Sequence, residues 1–204
     1  LGHVTLHILL QDPATGAGAL DGVDKAYVVC TPDEQLEARE KAFTDAAIDA
    51  GVSHIVKLSA FWADDDSPSP NLRAHRAIEK HLEASGIAYT ILRPHGFFQT
   101  VFWMSAPTIE AQGIMAAPAG DGPAPYLDIR DVAAAAITAL TEPGHENQIY
   151  ELTGPESIDM HAVAGALSKG LGKPIQYVDL PEEQMVGGLN AMGVAQSSIT
   201  HVVT

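Results

Sequence analysis

The chain has 204 residues, enough for one domain or one domain with a small appendage, and its 46% hydrophobic against 18% charged residues suit a globular protein with a real core. A formal net charge of −15 argues against nucleic acid or an anionic membrane as partner, because both need basic patches. No apolar run reaches the roughly 20 residues of a membrane span, and the single cysteine, Cys30, allows no internal disulfide and fits a reducing cytoplasm.

In chain order, residues 1–11 (LGHVTLHILLQ) suit a strand by their alternation or a helix by the spacing of Val4 and Ile8. A loop follows over 12–24, then a compact strand, AYVVC, over 26–30. Thr31, Pro32 and Glu34 form a helix start of the capping-box kind, with Thr31 as N-cap and Pro32 at the first helical position. Leu36, Phe43, Ala47 and Ala50 give that helix one apolar face, and Gly51 ends it. HIVKLS (54–59) is the next strand, and the polar stretch 60–70 is a loop.

The stretch 75–100 organises the rest. Leu72, Ile78, Leu82 and Ser85 recur at helical spacing, and Gly86 stands at a C-cap position. Residues 87–92 are β-branched and aromatic, as in a buried parallel strand. Arg93-Pro94-His95-Gly96 breaks the strand at its carboxyl end, the edge where open α/β sheets bind ligands. Residues 113–125 are turn-rich, 127–129 form a short strand, and Asp131 caps an Ala-rich helix stopped by Pro143-Gly144. A strand at 149–152, a helix at 160–171 entered through Asp159, a strand at 175–178 and a helix at 181–192 complete the pattern. Strands alternating with helices predict an α/β fold, a doubly wound parallel sheet. Nine histidines raise the question of a metal, but none has zinc-like spacing within a further ligand cluster, so no metal site is expected.

GVDKAYVV, HRAIEKHLEASG, YTILRP, DIRDVA and YELTGPE, in that order, resemble the NmrA-like proteins, atypical members of the short-chain dehydrogenase/reductase superfamily. The likeness covers about residues 21–181. It implies a Rossmann-like NAD(P)-binding core over residues 1–152, with its first strands incomplete, and a smaller C-terminal substrate-binding part over 153–204. It implies NADP or NAD as cofactor, with NADP favoured, a small aromatic or carbonyl substrate, and a possible homodimer.

Two departures from the family pattern matter. The Gly-rich loop whose backbone N–H groups would hold the pyrophosphate is missing. Gly2 could be its last glycine, with 3–11 as the first helix, and the chain then passes at Asp12 into a later segment of the family pattern. We expect a truncated or discontinuous sequence rather than a natural loss, because a sheet without its edge strands exposes unpaired backbone. Tyr-x-x-x-Lys is also missing. His75 falls where isoflavone-reductase-like members carry a catalytic lysine, and it can donate a hydrogen bond and titrates near neutral pH. Glu79, one turn on, could pair with it; the competing account is a solvated helical pair.

The resemblance further implies cofactor contacts at Thr31, Pro32, Ser59, His75, Pro94, His95, Gly96 and Phe97. Ser59 would assist His75 in catalysis by hydrogen-bonding a substrate carbonyl. Phe61, Trp62, Phe98, Trp103 and Met104 could line an apolar substrate pocket, or serve as ordinary core. Asp128, Arg130 and Asp131 are expected to be structural, and Cys30 a strand-end thiol. The expected activity is NAD(P)H-dependent transfer of hydride to a quinone, carbonyl or similar flat acceptor. Two rivals stand beside it: a non-catalytic NAD(P)-binding redox sensor, and a cofactor-free isomerase or cyclase if the Gly-rich loop is absent from the natural protein.

Overall fold

A computed structural model describes residues 19–191 and Gly193. The expectations for Gly2, for residues 3–11 and for the tail to Thr204 fall outside the described residues. The elements run β1 (Lys25–Val28), α1 (Leu36–Asp49), β2 (His54–Leu58), α2 (Pro70–Ala84), β3 (Ala88–Pro94), α3 (Phe98–Gln112) and β4 (Ile114–Ala117). They continue with α4 (Ile129–Thr141), β5 (Gln148–Leu152), α5 (Met160–Leu171), β6 (Gln176–Asp179) and α6 (Glu182–Ala191). None of these helices is long and apolar enough to cross a membrane.

Two compact units are formed. The first holds the described residues up to Pro94 together with Val132–Leu152; the second holds His95–Asp131 and the described residues from Thr153 on. The division differs from the expected 1–152 and 153–204 because His95–Asp131 joins the second unit. The physical reason is pairing: β4, hidden in the sequence inside a turn-rich stretch, forms a two-stranded parallel sheet with β6.

In the first unit, β1, β2, β3 and β5 lie side by side in that order, all parallel. β2 is central, and its residues 54–57 are all buried, as expected of a strand covered on both faces. Ile55, Phe43, Ala47, Leu82 and Ile91 pack in one core cluster with Leu20, Val28 and Val52. α2 follows Pro70 at its first turn, where the missing N–H costs nothing, and Gly86 adopts φ 82° just past its end.

Two helix starts differ from expectation. α1 begins at Leu36, not after Thr31. Asp33 Oδ1 instead accepts the Gln35 N–H at 2.8 Å and the Arg39 guanidinium at 2.6 Å, an Asx turn that outcompetes the Thr31 cap. α4 begins at Ile129, two residues before the expected Asp131, with Asp128 accepting the Arg130 N–H at 2.8 Å; residues 127–129 form no strand, and Leu127 makes only an isolated bridge to Phe97. The Asp159 cap is as expected: its carboxylate accepts the Ala162 N–H at 2.7 Å.

The core of the second unit gathers Ile109 of α3, Met115 of β4, Met160, Val163 and Ala164 of α5, with Ile175 and Tyr177. Gly113 ends α3 at φ 68°, where an added Cβ would stand 2.8 Å from the Pro174 carbonyl oxygen.

Candidate functional site

Alternation along β2 points Ile55, Lys57 and Ser59 to one side, the side covered by α1 and α2. Ile55 enters the apolar core, and the next two positions meet charged partners instead. Lys57 is wholly buried and its Nζ has three acceptors: Glu40 Oε2 at 2.6 Å, the Leu58 carbonyl at 3.2 Å and His75 Nδ1 at 3.3 Å. Three acceptors match the three N–H bonds of an ammonium. Glu40 is equally buried; its Oε1 has no hydrogen-bond partner, and burial pushes its carboxyl above the usual range despite the pull of Lys57.

Ser59 stands one residue past the end of β2. Its N–H donates to the Leu92 carbonyl at 2.7 Å, and the Phe61 N–H donates to the Pro94 carbonyl at 3.0 Å, so pairing with β3 extends into the loop and fixes it. The Ser59 hydroxyl donates to Glu79 Oε1 at 2.6 Å. The same oxygen accepts Arg93 Nε at 2.9 Å, while Oε2 accepts Arg93 at 2.6 Å and Arg76 at 3.0 Å. Burial alone would raise the Glu79 carboxyl, but the bonds from Arg93, Ser59 and Arg76 outweigh it and hold the group below the usual range. Four donors fill the lone-pair directions of a carboxylate. Glu79 is therefore committed to these groups rather than to His75, and both side chains are buried rather than a solvated pair.

Of the expected site residues in the first unit, Ser59 is held on Glu79 and His75 on Lys57, two buried polar groups whose strand residues, Lys57 and Ser59, lie on the same side of β2 and its extension. Thr31, exposed, and Pro32, half-buried, follow β1 in a loop, and Pro94 is buried at the end of β3. The Cys30 thiol is pushed up by burial and by Glu40, which suits a structural thiol. Phe61 and Trp62 meet edge to face at 5.0 Å, and Trp62 is 66% exposed with φ 60°, an uncommon conformation for a bulky residue.

In the second unit, His95 Nδ1 accepts the Gly96 N–H at 2.7 Å, and burial lowers its imidazole below the ordinary range. A Cβ at Gly96 would crowd the Tyr126 ring of the same unit at 3.0 Å. Phe97 bridges to Leu127. Phe98 stacks on Phe102 at 5.8 Å and leans on Tyr126 at 5.7 Å, packed against the core of the unit. Trp103 is 78% exposed and Met104 half-buried, so Phe98 and Trp103 do not share one cluster.

Sequence reasoning missed Lys57, Glu40 and Arg93. A signal existed for two of them: a lysine inside the apolar run HIVKL, and a glutamate on the apolar stripe Leu36, Glu40, Phe43, Ala47. A charge at a buried position demands a buried partner.

The described residues suit an extended dinucleotide along the carboxyl edge of the sheet, where β1, β2 and β3 end in neighbouring positions with the Ser59 hydroxyl and the Lys57–His75 pair at the middle strand. Comparison with known proteins gives the family. The model of the NmrA-like family matches residues 2–203. The chain belongs to the NmrA-like family. It is 40% identical over 190 residues to the NAD(P)H azoreductase of Xenophilus azovorans, covering 92% of this chain and 65% of that protein. It is 34% identical over 184 residues to quinone oxidoreductase 2 of Escherichia coli, covering 90% and 64%. This NmrA-like chain thus spans about two thirds of the length of these curated relatives.

Among solved structures, the E. coli NADPH-dependent quinone oxidoreductase complexed with NADPH superposes with a TM-score of 0.82 at 32% identity, covering 95% of this chain and 68% of that one. NmrA, a negative transcriptional regulator, superposes with a TM-score of 0.70 at 22% identity, covering 85% and 58%, a likeness of fold. The α/β, Rossmann-like parallel sheet expected from the sequence is therefore the fold of the protein.

Proposed function

We propose that the protein is an NAD(P)H-dependent oxidoreductase that reduces a quinone, carbonyl or similar flat acceptor. The observation that carries this reading is the Ser59–Glu79 and Lys57–His75 arrangement at the carboxyl edge of a parallel sheet, in a family whose relatives include reductases of quinones and azo compounds. When bound, the nicotinamide supplies the hydride, and the residues of the chain supply orientation and a proton. Thr31, Pro32, Ser59, His75 and Pro94 are the proposed cofactor contacts in the first unit. His95, Gly96 and Phe97, next in the chain, are proposed to continue them, and Gly2 is proposed to reach the pyrophosphate. His75 gives the proton. Ser59, whose own hydroxyl proton is held by Glu79, keeps lone pairs that are proposed to accept from a donor on the cofactor or substrate. Phe61, Trp62, Phe98, Trp103 and Met104 are proposed substrate contacts. We also propose NADP over NAD, a homodimer and a cytoplasmic setting.

The test is fluorescence titration with NADPH and NADH, followed by turnover of a panel of quinones and azo dyes. Saturable binding with turnover is expected. Binding without turnover of any acceptor would favour the redox-sensor reading, to which the missing Tyr-x-x-x-Lys points. Light scattering checks the dimer.

A further inference from the structure

Lys57 has no place in the expected chemistry, yet it is the most unusual residue of the unit: a lysine with 0% exposure at the centre of a parallel sheet. Burying an ammonium is costly, and a strand at this position ordinarily carries an aliphatic side chain. Glu40 offsets the charge at 2.6 Å, and Glu40 is itself 1% exposed, so two buried residues are given over to holding one cation beside His75.

The geometry fixes the imidazole. An ammonium has no lone pair, so its third N–H must donate to His75 Nδ1 at 3.3 Å, and Nδ1 must carry the ring's lone pair. The ring proton then sits on Nε2. A neutral imidazole that gives up this proton alone would become an anion, which is prohibitive near neutral pH. The Lys57 contact removes the difficulty. After proton transfer to Nδ1, the neutral amine of Lys57 keeps two N–H bonds, to Glu40 Oε2 and the Leu58 carbonyl, and its new lone pair accepts from Nδ1–H. The same three contacts serve both protonation states without movement of a heavy atom.

We propose that Lys57 is a proton-relay and positioning residue, holding His75 in its Nε2–H form and returning a proton to Nδ1 as Nε2 gives its own to the reduced acceptor. The inference rests on the reading of His75 as proton donor. The balance is closed. NAD(P)H provides the hydride and leaves as NAD(P)+; the acceptor oxygen gains the Nε2 proton. His75 ends as the neutral Nδ1–H tautomer, and Lys57 as a neutral amine. One proton from solvent, entering through His75, restores Lys57, and the carboxylate of Glu40 favours that return.

The experiment pairs side-chain 15N NMR of the histidines with turnover, in the intact protein. In the wild type, His75 is expected as a single neutral tautomer with its proton on Nε2. Lys57→Met combined with Glu40→Gln removes both charges, so no unpaired buried carboxylate remains. His75 should then populate both tautomers, and kcat for quinone reduction should fall by about 100-fold at unchanged KM for NADPH. Lys57→Arg separates the two roles: a guanidinium can hold the tautomer but cannot release a proton, so the Nε2–H signal persists while kcat falls. A wild-type Nδ1–H tautomer, or a double variant with undiminished kcat, overturns the proposal. His75→Phe keeps the two readings apart, because its undiminished turnover would remove the proton-donor role itself, whatever the tautomer.

Discussion

Glu40 Oε2 and Lys57 Nζ lie 2.6 Å apart, with each side chain only 1% exposed. Helix α1 and strand β2 are thus joined by a charge pair next to the apolar cluster of Ile55, Phe43 and Ala47. Lys57→Met alone should cost about 3–5 kcal/mol in urea unfolding, because Glu40 stays buried without a counter-charge. Glu40→Met with Lys57→Met should recover most of that loss, as apolar replacement of a whole buried pair usually does. A double variant no more stable than the single one would show that the cost lies in packing rather than charge.

Glu79 predicts an acid sensitivity with a definite sign. Its folded carboxyl is held below the usual range, so its contribution is present above the ordinary glutamate value of about 4.3 and is lost as pH falls through the folded value. Thermal unfolding midpoints between neutral and strongly acid pH should fall more steeply for wild type than for Glu79→Gln. Parallel curves would mean that other carboxylates dominate the acid limb.

His54 adds a second pH effect from the opposite end of β2. Thr90 donates its hydroxyl to the His145 carbonyl at 2.6 Å, so His54 Nε2 must be the donor in its 2.9 Å contact with Thr90. Nδ1 is buried without a partner, and burial lowers the imidazole below the ordinary range. Neutral His54 therefore supports the fold above the ordinary histidine value of about 6.5, and this support fades as pH falls through the lowered folded value. Thr90→Val should cost about 1–3 kcal/mol at neutral pH by leaving His54 and the His145 carbonyl unpaired, read by chemical denaturation.

Two glycines, Gly154 of the second unit and Gly86 of the first, differ in what an added side chain would meet. A Cβ on Gly154 would fall 2.0 Å from the Tyr126 carbonyl oxygen, an overlap only a backbone shift relieves. Gly86 in the first unit, at φ 82°, would meet nothing within 4 Å. Gly86→Ala should thus cost about 1–2 kcal/mol from the left-handed backbone alone, whereas Gly154→Ala should lower the yield of folded protein or the melting temperature distinctly more. Equal effects would mean that the 153–156 turn relaxes freely.

The sheet was legible wherever period and punctuation agreed. Gly86 and Asp159 mark helix ends by local chemistry, and the runs of β2, β3 and β5 carry the β-branched residues of buried strands. The misses share another cause. Thr31 and Asp33 both offer an oxygen near the start of α1, and the choice between them depends on Arg39, a turn further on. β4 reads as a turn because IMAA has little propensity of its own and is a strand through its pairing with β6. Ser59 and His75 were singled out by their position in the family pattern. What holds them was not, since Glu40 and Lys57 meet only after α1 and β2 pack, 17 positions apart.

The first unit is not continuous in the chain. β5 completes the sheet by pairing with β3, and the hydroxyl of Thr90 reaches a carbonyl 55 positions further along. At a synthesis rate of about 5–20 residues per second, the open side of β3 waits about 3–11 s on the ribosome before its neighbour exists. Through that interval a half-built sheet offers an unpaired strand to any other nascent chain, so crowded expression should favour aggregation over folding, and slower initiation or a chaperone bound at that stage should raise the yield.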